Sequence, residues 1–93
     1  MIYQVDMDDE VRLLVGHMTP GRKKKIKASL REISVDPYAG KPLQNKLLGL
    51  QSYRMGSFRI IYSINKNKKI IHIITIGPRR TVYEELERYF KKP

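Results

Sequence analysis

Cysteine is missing from all 93 residues, so the chain has no disulfide framework, no thiolate nucleophile and no Cys-based zinc site. Long apolar runs are missing too, since no window approaches the roughly 18 apolar residues that a membrane helix needs. Met1–Glu10 carries four acids instead of a basic leader. These absences lead to the expectation of a soluble, cytoplasmic chain with no membrane partner. Acids are scarce in the body of the chain: between Val11 and Tyr83 only Glu32 and Asp36 face sixteen Lys and Arg. From Asp36 to Tyr83 there is no second acid, which disfavours magnesium-dependent nuclease chemistry. Phosphate-cradling loops of the G-x-x-x-x-G-K-[ST] or G-x-G-x-x-G type are absent, as is a supported Ser/His/Asp grouping. Neither a metal nor another cofactor is therefore expected.

Positive charge is what the chain has in excess. Nineteen Lys and Arg against nine Asp and Glu give a formal charge of +10. The acids gather at the two ends, as Asp6, Asp8, Asp9 and Glu10 and as Glu84, Glu85 and Glu87. A field of this sign favours a polyanion, with RNA, DNA and acidic protein segments as candidates, while it opposes compaction through self-repulsion.

The length fits one domain over residues 1–93 with one modest core. Ile2-Tyr3-Gln4-Val5 is β-prone and predicts a first strand. From Asp8 the period changes: Val11, Leu14, Val15 and Met18 share a helix face, and Asp8, Asp9 and Glu10 fill a first turn whose dipole favours acids. Thr19 as N-cap and Pro20 at the first helical position open a second helix, with Ile26, Leu30 and Ile33 as its buried stripe. The two make an αα-hairpin. Asp36–Pro42 reads as loop. Phe58, Ile60, Tyr62 and Ile64 then alternate with Arg59, Ile61, Ser63 and Asn65, the period of a strand. Asn65–Lys69 supplies turn chemistry, and Ile70–Ile76, apolar on both faces, predicts a central strand. Gly77-Pro78 stops it, and a short last helix points Tyr83, Leu86 and Phe90 inward. The expected fold is α+β: an N-terminal strand, an αα-hairpin and a short C-terminal helix, with the helices on one face of a small twisted antiparallel sheet. The other face is left to carry the function.

Among residues fit for chemistry, His72 sits between isoleucines and reads as a packed core or sheet-face residue, and His17 as a partner of a helix end. Arg54, Arg59, Arg79 and Arg80 remain, on strands and strand ends, with Tyr83 just after them. Arg54 and Arg59 lie on adjacent strands if Met55-Gly56-Ser57 connects them, and all four converge on one end of the sheet. Bidentate guanidinium groups suit phosphate oxygens, in a bound RNA or in a phosphorane-like transition state. RNA also offers a metal-free reaction, in which its 2′-hydroxyl attacks the adjacent phosphorus and leaves a cyclic phosphate and a free 5′-hydroxyl. Arginine handles the charge but keeps its own proton. Tyr83 is the best candidate for proton transfer, because cations near a phenol favour its ionised form. Packing as the first core residue of the last helix is the equally open structural reading of Tyr83.

Leu47-Leu48-Gly49-Leu50-Gln51-Ser52-Tyr53-Arg54-Met55-Gly56-Ser57-Phe58-Arg59-Ile60-Ile61-Tyr62-Ser63-Ile64, followed by Ile76-Gly77-Pro78-Arg79-Arg80-Thr81-Val82-Tyr83, resembles the RelE branch of the RelE/ParE toxin superfamily. The upstream hairpin and the Asp36–Leu43 loop fit as well, so the resemblance covers nearly the whole chain. It implies a type II toxin that enters the ribosomal A site and cleaves mRNA there without a metal, stopping translation. It also implies an acidic RelB-type antitoxin that wraps the basic surface, in a complex that binds operator DNA through the antitoxin. By position, Arg59 and Arg79 correspond to phosphate-contacting arginines and Tyr83 to the catalytic tyrosine. Arg54 stands where the best-known members carry a lysine, and Gly56 where they carry a second, in a shorter connection. Lys23, Lys24, Lys25, Lys27, Lys46 and Arg80 are the expected RNA- and ribosome-binding residues. Two other outcomes stay open on the same fold: a ParE-like DNA gyrase inhibitor without RNase activity, and a degenerate toxin serving only in a repressor complex.

Overall fold

Two N-caps set where the helical hairpin starts. Asp8 is extended ahead of α1 (Asp9–Gly16), with Asp9 and Glu10 in the first turn and His17 closing the helix by donating its N–H to the Leu13 carbonyl. Thr19 is extended ahead of α2 (Pro20–Val35), and its hydroxyl accepts the Arg22 N–H at 3.3 Å. The computed structural model describes residues 2–44 and 47–91, with side chains as far as Arg88. Ile26 and Ile33 of α2 are buried and Leu30 packs beside them, as their spacing predicts. In α1 the stripe is narrower than expected. Val11 is buried and Val15 and Met18 pack against the core, but Leu14 is exposed. Gly16 and the break at Thr19 leave α1 only eight residues, too short to cover the sheet with its whole apolar face. No helix among the described residues is long and apolar enough to cross a membrane.

Five strands form one sheet in the order β1-β5-β4-β3-β2, where β1 is Gln4–Met7, β2 Lys41–Pro42, β3 Leu50–Met55, β4 Phe58–Asn65 and β5 Ile70–Pro78. The last helix, α3, covers Arg79–Lys91. The α+β class stands, with three differences from the sequence reading. First, β1 begins two residues later than Ile2 and pairs parallel to β5, so the sheet is mixed. The helical hairpin crosses one face and delivers the chain to the far edge, and the β3–β4–β5 meander then returns β5 alongside β1. Second, Lys41–Pro42 pairs with Gln51–Ser52 as a two-residue edge strand inside the expected loop; proline is tolerated there because an edge N–H has no ladder partner to lose. Third, the helices do not share a face. The hairpin packs on Ile60, Tyr62, Ile71, Ile73 and Ile76, while α3 packs its Val82 and Leu86 on Leu50 and Ile61 of the opposite face. Phe90, the third member of the expected α3 stripe, has its side chain outside the described set.

One irregularity sets the frame for everything on that second face. Ile61 pairs with Thr75 and Tyr62 with Ile73, so Ile74 is an extra residue in β5. Such a bulge shifts the alternation of its strand by one. Ile71, Ile73 and Ile76 can therefore all face the hairpin, and Gly77 falls opposite Arg59. A Cβ on Gly77 would come within 3.3 Å of the Val82 side chain, so the glycine lets α3 lie close on β5.

A buried phenol ties the loop to the sheet. The Tyr62 hydroxyl donates to the Pro37 carbonyl at 2.7 Å and accepts the Gly40 N–H at 3.1 Å, and burial raises its pKa above the ordinary tyrosine value. Tyr53 is raised as well, first by its hydrogen bond to Glu32 and then by burial. Groups with raised folded values add stability that is fully present below about pH 10 and is lost as pH rises through those values. Tyr62→Phe should therefore cost about 1–3 kcal/mol in denaturant melts near neutral pH, by leaving the Pro37 carbonyl and Gly40 N–H unsatisfied, and should flatten the alkaline fall in stability. Gly40→Ala should also destabilise, because its Cβ would meet the Tyr62 hydroxyl at 2.7 Å and the Ser52 carbonyl oxygen at 3.0 Å.

Candidate active site

Strand alternation sorts the side chains near the β3–β4 turn. Tyr53, Phe58 and Ile60 pack toward the hairpin, so Arg54 and Arg59 point to the face that carries α3. They are direct cross-strand partners, and Gly77 is the next residue in the same row. Cα atoms so paired lie about 5 Å apart, and like charges directly opposite are destabilising. Arg59 is half-buried, and no ion pair found among the described residues involves Arg54, Arg59, Arg79 or Arg80. Two arginines in direct cross-strand register on one face, with no ion pair found for either among the described residues, form a candidate anion site.

The turn between them is only Gly56-Ser57, with Gly56 at φ 61°. A two-residue hairpin with positive φ at its first position favours glycine there. Open space surrounds Gly56, so backbone conformation, not crowding, explains why a lysine is not at this position.

Helix α3 starts without a loop at Arg79, whose N–H donates to the Ser57 carbonyl at 3.4 Å. Its N-terminus is thus pinned to the turn that follows Arg54 and precedes Arg59. Its first turn holds no acid, so the positive end of its dipole adds to the guanidinium charge. At 3.6 residues per turn, Arg79 and Tyr83 lie about 40° apart around the helix, while Arg80 lies about 160° from the buried Val82. Arg79 therefore shares a side of the helix with Tyr83, and Arg80 lies on the side away from Val82. Tyr83 is half-buried and packs against the cluster of Leu50, Ile61, Val82 and Leu86, so its ring is anchored in the core as the packing reading expects.

Two of the N-terminal acids lie along the sheet from the arginines, while Glu84, Glu85 and Glu87 follow Tyr83 on α3. Asp6 and Asp8 flank His72, with Asp6 Oδ2 3.4 Å from Nδ1 and Asp8 Oδ1 3.7 Å from Nε2, and Asp6 also approaches Arg12 at 4.0 Å. His72 is a sheet-face residue, away from the arginines: it pairs with Ser63, four residues along β4 from Arg59.

The expected RNA-binding lysines divide. Lys23, Lys24, Lys25 and Lys27 are exposed on α2, across the sheet from Arg59. They still reach the same end of the molecule, because the Arg22 guanidinium lies 4.2 Å above the Phe58 ring, next to Arg59. Lys46 lies outside the described residues. Sequence reasoning passed over Arg22, and the lysines of Asn65–Lys69 were read as turn chemistry alone; the density of charge in both segments was the available signal.

The family model describing the ParE toxin of type II toxin–antitoxin systems (parDE) matches residues 21–83. The chain belongs to this family. The match ends on Tyr83 and so takes in Arg54, Arg59 and Arg79. Toxin RelE of Mycobacterium tuberculosis is 43% identical over 44 residues, which span 47% of this chain and 45% of that relative. A chain of the toxin–antitoxin complex RelBE2 from the same organism has a similar fold, with TM-score 0.77 and 25% identity, over 85% of this chain and 93% of that one. A double-arginine mutant of Escherichia coli toxin RelE in the free state gives TM-score 0.73 at 19% identity, over 95% and 98% of the two chains. The chain thus belongs to the RelE/ParE superfamily, and its three helices and five-stranded mixed sheet match RelE structures.

Proposed function

We propose that this toxin is a ribosome-dependent mRNA endoribonuclease that needs no metal and cuts in the A site by attack of the substrate's 2′-hydroxyl. The observation that carries the reading is the unneutralised Arg54–Arg59 pair in register across β3 and β4, with Arg79 pinned beside it. Arg59, Arg54 and Arg79 hold the scissile phosphate and offset the charge that grows on its oxygens. Tyr83 moves a proton at its hydroxyl, to or from the reacting oxygens. Lys23, Lys24, Lys25, Lys27, Lys46 and the outward Arg80 dock ribosomal RNA. An acidic RelB-type antitoxin would silence the toxin by covering this basic surface, in keeping with the complex in which a similar toxin was solved. That complex would bind operator DNA through the antitoxin.

With Arg54 and Gly56 where relatives have lysines, proton transfer rests more on Tyr83 and on ribosomal groups, since arginine does not exchange protons. Cleavage of free RNA should be very weak, and efficient cutting of naked RNA by Tyr83→Phe would contradict this assignment. The matching family model favours a second reading, a ParE-like inhibitor of DNA gyrase. Gyrase inhibition gives no need for a half-buried arginine beside an anchored tyrosine. Primer extension on mRNA after brief expression separates the two. Cuts at A-site codons support the nuclease; intact mRNA with induced DNA damage supports the gyrase inhibitor.

A further inference from the structure

The turn joining β4 to β5, Lys66-Asn67-Lys68-Lys69, lies at the far end of β4 from Arg59 and carries three exposed lysines. Asn65 Oδ1 accepts the Lys68 N–H at 3.0 Å and shapes the turn. Lys66 Nζ sits 5.4 Å from the centre of the Tyr38 ring, and Lys69 Nζ sits 5.3 Å from that of Tyr3. Tyr38 is 53% exposed. None of the ion pairs found among the described residues involves these lysines. Beside them a shallow open hollow is lined by Ser63, Ile64, Asn65, Lys66 and Asn67.

Lys69 has φ 57°, the non-glycine residue at positive φ among those described. Glycine adopts that conformation without strain, whereas an L side chain does not. A lysine held there against its backbone preference points to use of its side chain, since the turn alone would be better served by glycine.

We propose that this turn, with Tyr3 and Tyr38, is a second RNA contact that takes the phosphate backbone of folded ribosomal RNA. β4 holds the two ends roughly 25 Å apart at about 3.3 Å per residue, so the arginine end and the lysine end meet different stretches of RNA. The turn would add a docking contact at the end away from cleavage, and the inference rests on the nuclease reading above. Lysines meet phosphates, and an exposed ring beside them offers a surface for an unpaired base. An acidic protein segment would meet the lysines but leave the exposed Tyr38 ring without a stacking partner.

The test compares wild type, Lys69→Gly, and the triple variant Lys66→Ser, Lys68→Ser, Lys69→Gly for binding to vacant ribosomes across a salt series. The triple variant should bind about tenfold or more weakly, with a salt slope shallower by about 2–3 at 0.7–0.9 per lost phosphate contact. Its kcat on programmed ribosomes should match wild type while KM rises. Lys69→Gly alone should weaken binding yet melt no lower than wild type. Triple-variant affinity and slope equal to wild type overturn the second contact, as does a loss confined to antitoxin binding. A wild-type toxin that binds no ribosomes rejects the nuclease reading itself, and this contact with it.

Discussion

Arg59→Gln is expected to slow ribosome-dependent cleavage by about 10²–10³-fold, the usual loss when one preorganised donor to a developing oxyanion is removed. The substitution keeps most of the apolar stem of a half-buried side chain and removes only the fork and the charge. Because Arg59 faces Arg54 directly across β3 and β4, removing one charge relieves repulsion, and the melting temperature should hold or rise. Loss of activity without loss of stability separates a transition-state role from a structural one. Arg59→Lys should fall between, since it restores charge without the two parallel N–H donors that grip phosphate oxygens. Single-turnover cleavage on programmed ribosomes, alongside thermal melts, checks all three. A variant that cuts at the wild-type rate would remove Arg59 from the site.

Tyr83→Phe has the other large expected effect, a fall of about 10²–10⁴ in the cleavage step, the span typical of a positioned proton carrier. The ring that packs beside Leu50, Ile61 and Leu86 is retained, so folding should be unchanged. Removing a hydroxyl that acts only in the transition state lowers kcat with little change in KM, and that is the pattern expected of Tyr83→Phe. A rise in KM alone would mean that Tyr83 binds RNA without moving a proton.

Much of this arrangement was legible in the residues. The helical hairpin followed from the Thr19-Pro20 start and the spacing of Ile26, Leu30 and Ile33, because a cap and a 3.6-residue period are local properties. The alternation through β4 put Arg59 opposite the core, and Gly56 marked the turn that sets it against Arg54. What escaped was non-local. A continuous apolar run in β5 does not reveal a bulge at Ile74, yet that bulge places Gly77 opposite Arg59 and lets α3 lie against the sheet. Periodicity carries no information on partner or direction, so the parallel β1–β5 pairing was not visible either. For the same reason α3 was not assigned to the second face, where it anchors Tyr83 beside the arginines. Lys69 reads as an ordinary turn residue until its backbone conformation is known.

The basic excess divides accordingly. Asp6 and Asp8 are engaged with His72 and Arg12 at one edge of the sheet, and no ion pair found among the described residues involves Arg54, Arg59 or Arg79. On the proposed reading, lysines on α2 and on the β4–β5 turn would give salt-sensitive attraction, and three guanidinium groups would give local stabilisation at one phosphate. The most direct measurement incubates purified toxin with mRNA on ribosomes whose A site is programmed with a known codon, and maps both product ends. The account predicts a cut within that codon, with a 2′,3′-cyclic phosphate and a free 5′-hydroxyl, and little cutting of the same mRNA without ribosomes. Intact mRNA on programmed ribosomes, or products ending in a 5′-phosphate, would contradict it.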